Sequence, residues 1–323
     1  MKPVRALAEA LGEGPVVLDG GLSNQLEAQG CDLSDELWSA RLLADGPEQI
    51  EAAHAAYVRA GARVVTTASY QATFEGFARR GADRAETERL LARSVELARL
   101  ASGQVTEEVW VAASVGPYGA MLADGSEYRG RYGLSVRELE RFHRPRVEAL
   151  AAAGPDVLAL ETVPDADEAE ALLRAVAGCG VPVWLSYTVA GGRTRAGQEL
   201  AEAFALASGN DQVVAVGVNC CDPEEVGAAV ELAAAVTGKP VVVYPNSGEL
   251  WDAEARGWYG TATFGPAEDE GKGASAAALA ADWAGAGARL IGGCCRVGPR
   301  TVAALGGGPA GWDHPGGARK MPG

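Results

Sequence analysis

Basic residues and histidines are scarce in this chain of 323 residues. Its 28 Lys and Arg are outnumbered by 43 Asp and Glu, which gives a formal net charge of −15. Nucleic-acid binding depends on counterions released by a Lys/Arg-rich face, and no stretch of the sequence is rich in these residues. The composition therefore excludes nucleic acid as the expected partner.

Long apolar runs are also missing. No segment approaches the roughly 20 apolar residues of a membrane-spanning helix, and the first residues, MKPVRALAEALGEG, carry charges where a signal peptide has an apolar core. We therefore expect a cytoplasmic protein that does not bind membranes. In that reducing compartment the six cysteines are expected to be thiols, so clusters of them favour metal binding or catalysis over disulfides.

Short apolar, β-branched runs recur along the chain and predict eight strands. Several lack polar/apolar alternation, which is typical of parallel strands buried on both faces. The predicted strands are residues 15–18, 62–67, 109–114, 156–160, 181–187, 213–218, 240–244 and 288–291. Helical patterns lie between them, most clearly at residues 47–60, 83–101, 135–153, 165–177 and 223–236.

This strict alternation predicts an α/β fold, a single-domain (β/α)8 TIM barrel over residues 1–305, with a Gly/Pro-rich, poorly ordered tail at 306–323. A doubly wound open sheet is the alternative. Against it, the turn Asp19-Gly20-Gly21 after the first strand lacks the G-x-G-x-x-G pattern of a dinucleotide site. In a barrel, catalytic residues stand at the C-terminal ends of the strands.

Four cysteines meet that condition: Cys220 and Cys221 follow the sixth strand, and Cys294 and Cys295 follow the eighth. Tetrahedral Zn²⁺ accepts thiolates readily, and its catalytic sites keep one position open. Because neighbouring strand residues face opposite sides, Cys220 is the preferred ligand of its pair and Cys221 the spare. Gly292-Gly293 allows both following cysteines to turn towards one ion. The alternatives are buried small hydrophobic residues or, less favourably, strained vicinal disulfides.

Histidine and lysine are not expected in the site. His54 and His143 fall within helical patterns, and His314 lies in the tail. No lysine ends a predicted strand, which argues against a barrel aldolase that forms a Schiff base.

Acidic residues end two further strands, Asp19 the first and Glu161 the fourth. A buried carboxylate must be paired, so two of them on one rim predict a site for the ammonium group of an amino-acid substrate. Each could instead cap a helix or pair with a nearby arginine. Gly20 and Gly21 would allow backbone N–H groups to approach a substrate carboxylate, and Asn219, at the end of the sixth strand, joins this predicted substrate site.

Aromatic residues are concentrated in the segments after the third and seventh strands. Aromatic faces attract sulfonium groups with about 0.5–2 kcal/mol each. Tyr118 and Trp251 are therefore the candidates for contact with a sulfonium or quaternary ammonium group, with loop packing as the alternative role.

Several segments together resemble the homocysteine S-methyltransferases, especially the branch that uses S-methylmethionine or S-adenosylmethionine. They run in order from about residue 14 to 305 and include DGGLSNQLEAQG, TTASYQATFEGF, SVGPYGAMLADGSEYRG, ALETVPDADEAEAL, GVNCCDPE, VVVYPNSGELWD and GARLIGGCCR. The resemblance implies a (β/α)8 barrel with zinc held by Cys220, Cys294 and Cys295. It also implies that Asp19 and Glu161 lie in the homocysteine pocket.

The activity implied by this resemblance is the zinc-dependent transfer of a methyl group from a sulfonium donor to homocysteine, which gives methionine. Alternative enzymes would methylate selenocysteine or use betaine as the donor. A non-enzymatic alternative is a zinc-storing or redox-sensing barrel. The expected partners are small-molecule substrates, and the sequence carries no signal for the oligomeric state.

Overall fold

The computed structural model describes residues 2–35, 37–252, 257–266 and 275–306, with the backbone alone at 250–252 and 257–258. Of the tail predicted at residues 306–323, only Gly306 is among these residues.

Eight parallel strands form one closed sheet, which confirms the predicted barrel. In chain order they are β1 Val16–Val17, β2 Val64–Thr66, β3 Trp110–Val115, β4 Val157–Val163, β5 Val183–Tyr187, β6 Val213–Asn219, β7 Val241–Tyr244 and β8 Ala288–Ile291. Each pairs with its neighbours in the order β1-β8-β7-β6-β5-β4-β3-β2. A parallel bridge between Leu18 and Val64 joins β1 to β2 and closes the ring.

Helices alternate with the strands and cover the outside of the barrel. The α-helices are α1 Leu7–Glu13, α2 Leu22–Ala28, α3 Leu42–Asp45, α4 Pro47–Arg59, α5 Phe74–Ala78, α6 Arg84–Ser102, α7 Tyr118–Leu122, α8 Val136–Ala152, α9 Ala166–Val176, α10 Leu200–Ala205, α11 Pro223–Thr237, α12 Ala276–Ala286 and α13 Pro299–Gly306. Two 3-10 turns lie at Trp38–Arg41 and Ser126–Tyr128.

Side-chain caps fix the starts of the long helices. Ser135 and Glu138 form a capping box at the start of α8, in which the side chain of each residue accepts the backbone N–H of the other. The side chains of Asp83, Asp165 and Asp222 accept backbone N–H groups at the starts of α6, α9 and α11. Each cap satisfies amides that have no partner within the helix, so the helix ends are set locally.

The strands divide the apolar core into two layers. Outward-facing residues pack against the helices, whereas inward-facing residues form a separate cluster, because successive strand residues point to opposite faces. Leu7, Ala10 and Leu11 of α1 belong to the inner cluster. Helix α1 therefore closes the barrel interior. The Trp110 indole on β3 donates to the Arg5 carbonyl at 3.0 Å and so holds the segment that precedes α1.

The observed bounds differ little from the predicted ones. Strand β4 continues to Val163, three residues beyond the predicted end, and so includes Glu161. Two short hairpins, Val189–Ala190 with Arg193–Thr194 and Leu250–Asp252 with Gly257–Tyr259, were not predicted. Among the described residues, no helix combines the length and apolarity needed to cross a membrane.

Candidate active site and metal centre

A polar layer replaces the apolar one at the C-terminal end of the barrel. On β3, for example, Trp110 and Ala112 belong to the inner apolar cluster, and Ser114 follows two residues later. The same two-residue step leads from Ala159 to Glu161 on β4. The polar layer comprises Thr66, Ser114, Glu161, Ser186, Asn219 and Tyr244. Because alternate residues of a strand face the same side, these side chains point into the barrel at its C-terminal end.

Three cysteines converge at this end. The sulfurs of Cys220, Cys294 and Cys295 all lie within 4.8 Å of one another, and the Cys220 and Cys295 sulfurs are 3.6 Å apart. Cys220 has a φ of 51°, a left-handed conformation that is uncommon outside glycine. Its N–H donates to the Tyr244 carbonyl at 3.1 Å. The turn at the end of β6 therefore moves Cys220 out of strand geometry.

The segment after β8 is held by the segment after β7. The Cys294 N–H donates to the Pro245 carbonyl at 2.7 Å, and the Cys295 N–H donates to Asn246 Oδ1 at 3.2 Å. A side chain at Gly293 would collide with Val297, so glycine is required there. These backbone contacts bring two consecutive thiols to the same cluster.

Hydrogen bonding among the three thiols separates their acidities. Bonds from Cys294 and then Cys295 hold the pKa of Cys220 below its ordinary value, and the same network raises the pKa of the other two thiols. Cys221 is buried in the outer core beside the helices, where desolvation raises the pKa of its thiol. Cys221 therefore lies apart from the three-sulfur cluster.

Tyr128 supplies the aromatic contact to this cluster. Its hydroxyl lies 3.1 Å from the Cys220 sulfur. Burial raises the pKa of this phenol well above its ordinary value, so the hydroxyl keeps its proton and can donate to a thiolate. Tyr118, not Tyr128, was the candidate predicted from this loop, because nothing in the local sequence distinguishes its tyrosines.

Asp19 lies at the end of β1 and is bound by β2. Its carboxylate accepts the Thr66 N–H at 2.7 Å and the Thr66 hydroxyl at 2.6 Å. Burial raises its pKa to about 8, and the two bonds from Thr66 oppose that shift. A cationic group entering here would stabilise the charged carboxylate.

Glu161 lies on the same end, on β4. The Ser114 hydroxyl donates to its carboxylate. Burial raises the pKa of Glu161 to about 7, and hydrogen bonds from Ser114 and Tyr244 oppose this. Because the Glu161 charge raises the pKa of Asp19, the two carboxyls share one electrostatic environment. Both are therefore buried acidic groups at the same end of the barrel.

Asn219 is buried and its amide is engaged within the protein. Its Oδ1 accepts the Thr162 N–H at 2.7 Å and the Ser186 hydroxyl at 2.8 Å. Its Nδ2 donates to the Thr162 hydroxyl at 2.7 Å. Thr162 has a φ of 58°, so Asn219 holds an otherwise unfavourable backbone turn directly after Glu161.

The two glycines after β1 are required by close packing. A Cβ on Gly20 would lie 2.7 Å from the Tyr57 ring, and one on Gly21 would lie 2.5 Å from the Cys294 carbonyl. The Gly21 N–H donates to the Val297 carbonyl at 2.9 Å. The Gly21 N–H, which was predicted to bind a substrate carboxylate, is therefore already engaged within the protein.

The two donor-side candidates have different positions. The Tyr118 ring packs on Phe142 and Tyr132, with ring centroids 4.8 and 5.2 Å away, so it contacts helix α8. Trp251 has its backbone in the strand Leu250–Asp252, and its side chain lies outside the described residues.

A buried network anchors the loop that carries Tyr128. Glu168 Oε1 accepts the Tyr118 N–H at 2.6 Å and lies 2.9 Å from His143 Nε2. The guanidinium of Arg146 donates to the Gly116 carbonyl and lies 2.6 Å from His143 Nδ1. Two helices thereby fix the start of the loop. His143 is thus part of the buried network that holds the loop.

Comparison with known proteins agrees with this architecture. Residues 16–307 match the family model described as homocysteine S-methyltransferase. The chain belongs to that family. A homocysteine S-methyltransferase of Escherichia coli K12 is 46% identical over 94% of this chain and 97% of its own length. Homocysteine S-methyltransferase YbgG of Bacillus subtilis is 43% identical over 89% and 92% of the two chains.

A solved member of the homocysteine S-methyltransferase family has the same fold. The metallated form of the Escherichia coli enzyme MmuM superimposes with a TM-score of 0.78 at 45% identity, covering 90% of this chain and 95% of that one. The family resemblance and the enzyme class expected from the sequence are confirmed. Together with the three-cysteine cluster, the metallated relative favours a metal in this homocysteine S-methyltransferase.

Proposed function

We propose that this chain transfers a methyl group from a sulfonium donor to the thiol of homocysteine, giving methionine, with Zn²⁺ held by Cys220, Cys294 and Cys295. The cluster of three sulfurs at the end of the barrel, beside two buried carboxyls, is the observation that carries this proposal. The donor is S-methylmethionine or S-adenosylmethionine.

The donor set fits zinc. Zn–S bonds of about 2.3 Å in a tetrahedral site separate sulfurs by roughly 3.8 Å, and the Cys220 and Cys295 sulfurs are 3.6 Å apart. Three thiolates leave one coordination position free. When bound, Zn²⁺ supplies a Lewis acid that favours the ionised, nucleophilic form of a thiol.

The surrounding residues orient the acceptor. Asp19 and Glu161 would receive its ammonium group, which pairs with their charge and lowers their raised pKa values. Thr66 and Ser114 hold these carboxylates in place through their hydroxyl groups. Asn219 then acts indirectly, because its amide fixes the backbone beside Glu161 rather than facing the substrate.

The reaction needs positioning more than proton transfer. The acceptor thiolate attacks the methyl carbon, a new S–C bond forms, and the S–CH₃ bond of the donor breaks with its electron pair going to sulfur. The positive sulfonium becomes a neutral thioether, so no strong general acid is required. A site that excludes water and aligns the two sulfurs supplies most of the rate enhancement. The thiols require a reducing compartment, for which the cytoplasm is the proposed location.

Zinc content and methionine formation, measured on the same preparations, test this proposal. The chain purified under reducing conditions should contain about one zinc per chain and form methionine from homocysteine with S-methylmethionine. Cys220→Ser should lose both metal and turnover. Cys221→Ser is the matched control, since Cys221 is adjacent but packs in the outer core, and it should retain both.

Parallel assays separate the alternatives. Betaine as donor and selenocysteine as acceptor should give slower turnover than S-methylmethionine with homocysteine. An active Cys220→Ser enzyme without zinc would refute the metal role. A zinc-loaded wild-type chain that forms no methionine with any sulfonium donor would refute the activity and leave a zinc-storing barrel.

A further inference from the structure

Arg195 lies against the residue that contacts the cysteine cluster. Its guanidinium carbon is 5.5 Å from the centroid of the Tyr128 ring. Its Nε donates to the Thr188 hydroxyl at 3.3 Å, and that hydroxyl donates to the Cys220 carbonyl at 3.0 Å. The cation therefore stands beside the reaction centre.

The backbone around Arg195 is held from both sides. The Gly191 and Gly192 amides donate to Glu225 of α11 at 3.1 and 3.3 Å. The Ala196 N–H donates to the Pro164 carbonyl at 2.9 Å. A cation on a fixed segment is pre-organised for binding, because little conformational freedom is lost when a ligand arrives.

Arg195 forms no ion pair with a carboxylate in the described part of the chain, whereas Arg193 on the same segment pairs with Glu199. Two other arginines at this end of the barrel are also paired, Arg296 with Glu249 and Arg131 with Asp165. A planar guanidinium with free N–H groups binds carboxylates through two parallel hydrogen bonds. Arg195 therefore matches a carboxylate on a ligand.

The position of Arg195 around the ring indicates which substrate it meets. Asp19 ends β1 and Arg195 follows β5, and these strands are four steps apart in the closed sheet of eight. The acceptor carboxylate is expected beside the Gly20 amide at the end of β1, so this substrate extends from β1 towards Glu161 on β4. The Arg195 guanidinium, beyond β4 on the segment after β5, is left for the carboxylate of the methyl donor.

We propose that Arg195 binds the carboxylate of the methyl donor and so selects amino-acid sulfonium compounds over sulfonium compounds without a carboxylate. This inference rests on the proposed methyl transfer. Arg195 acts on binding, so its loss should raise the KM of the donor far more than it lowers kcat.

The test compares S-methylmethionine with its carboxamide, which keeps the sulfonium group and the size but is neutral at that end. The wild-type enzyme should prefer S-methylmethionine by about tenfold or more in kcat/KM, the range for a charged hydrogen bond. Arg195→Gln should abolish this preference by raising the KM of S-methylmethionine. The KM of homocysteine should change less than about twofold. Arg193→Gln, a substitution on the same hairpin, should keep the wild-type preference.

Zinc content and circular dichroism show whether Arg195→Gln is folded. Arg195→Lys keeps the positive charge but loses the two parallel N–H groups of the guanidinium, so it should have an intermediate preference. An unchanged preference in folded Arg195→Gln would overturn the proposal. An equal loss of kcat/KM with both donors would also overturn it, because that loss would indicate an effect through Tyr128. A rise confined to the KM of homocysteine would overturn it as well. A wild-type chain that forms no methionine would instead refute the underlying activity.

Discussion

The phenol oxygen of Tyr128 lies 3.1 Å from the sulfur of Cys220, although 92 positions separate the two residues in the chain. One comes from the loop after β3 and the other from the end of β6. The contact places a protonated hydroxyl on the thiol whose pKa is lowest in the cluster. It therefore joins the loop to the proposed metal centre.

Tyr128→Phe removes this hydroxyl and keeps the ring. We expect zinc to be retained and kcat/KM to fall by about tenfold or more, because a hydrogen bond to a charged group is worth about 1.5–3 kcal/mol. Steady-state kinetics with metal analysis measures both. Tyr118→Phe is the control, since its ring packs on Phe142, and it should be active. Equal losses in the two variants would show that the contact to Cys220 has no special role.

Asn219→Ala removes three buried hydrogen bonds to Thr162 and Ser186. At about 1 kcal/mol each, with the strained turn at Thr162 no longer held, the free energy of unfolding should fall by about 3 kcal/mol. Urea denaturation measures this. Asn210→Ala removes one local side-chain bond, to the Gln212 N–H, and should cost about 1 kcal/mol or less. A similar cost at both positions would contradict the role assigned to Asn219.

Gly21→Ala would place a methyl group against the Cys294 carbonyl at 2.5 Å. The β1 turn and the cysteine segment must then separate, so we expect zinc affinity to fall by about tenfold or more, the effect of disturbing the support of metal ligands. Competition with a chromogenic chelator reports the affinity. Gly12→Ala in α1, where no atom lies within 4 Å of the added carbon, should bind zinc normally. Normal affinity in Gly21→Ala would show that the turn does not position Cys294.

His54 gives the fold a specific acid sensitivity. It is buried in α4, and neither ring nitrogen has a hydrogen-bond partner among the described residues. Burial lowers its pKa from 6.5 to about 4. The unfolded chain therefore binds the proton first, and stability falls as the pH drops from 6.5 towards 4.

His54→Leu should remove this loss. The stability difference between variant and wild type should grow by up to about 3 kcal/mol between pH 7 and pH 4. Denaturation curves at several pH values measure it. A difference that does not change with pH would mean that His54 has a normal pKa.

The barrel and the rim on which the site lies could be predicted from the amino-acid sequence. Parallel strands are buried on both faces, so they appear as short apolar runs, and caps such as Ser135 with Glu138 are local. Strand β8 was predicted with its observed bounds, and the cysteine pairs could be placed because they directly follow strands. The polar layer had a signal as well, since Ser114 and Glu161 continue the two-residue period of their strands.

Which side chains meet within that rim depends on contacts made in the folded chain. Strand alternation favoured Cys220 over Cys221, but the left-handed backbone at Cys220, which is bonded by the next strand and lets its sulfur meet Cys294 and Cys295, had no local signal. Tyr128 reaches Cys220 because helices α8 and α9 anchor its loop through Glu168. Such choices depend on contacts between residues far apart in the chain, so no local pattern of residues encodes them.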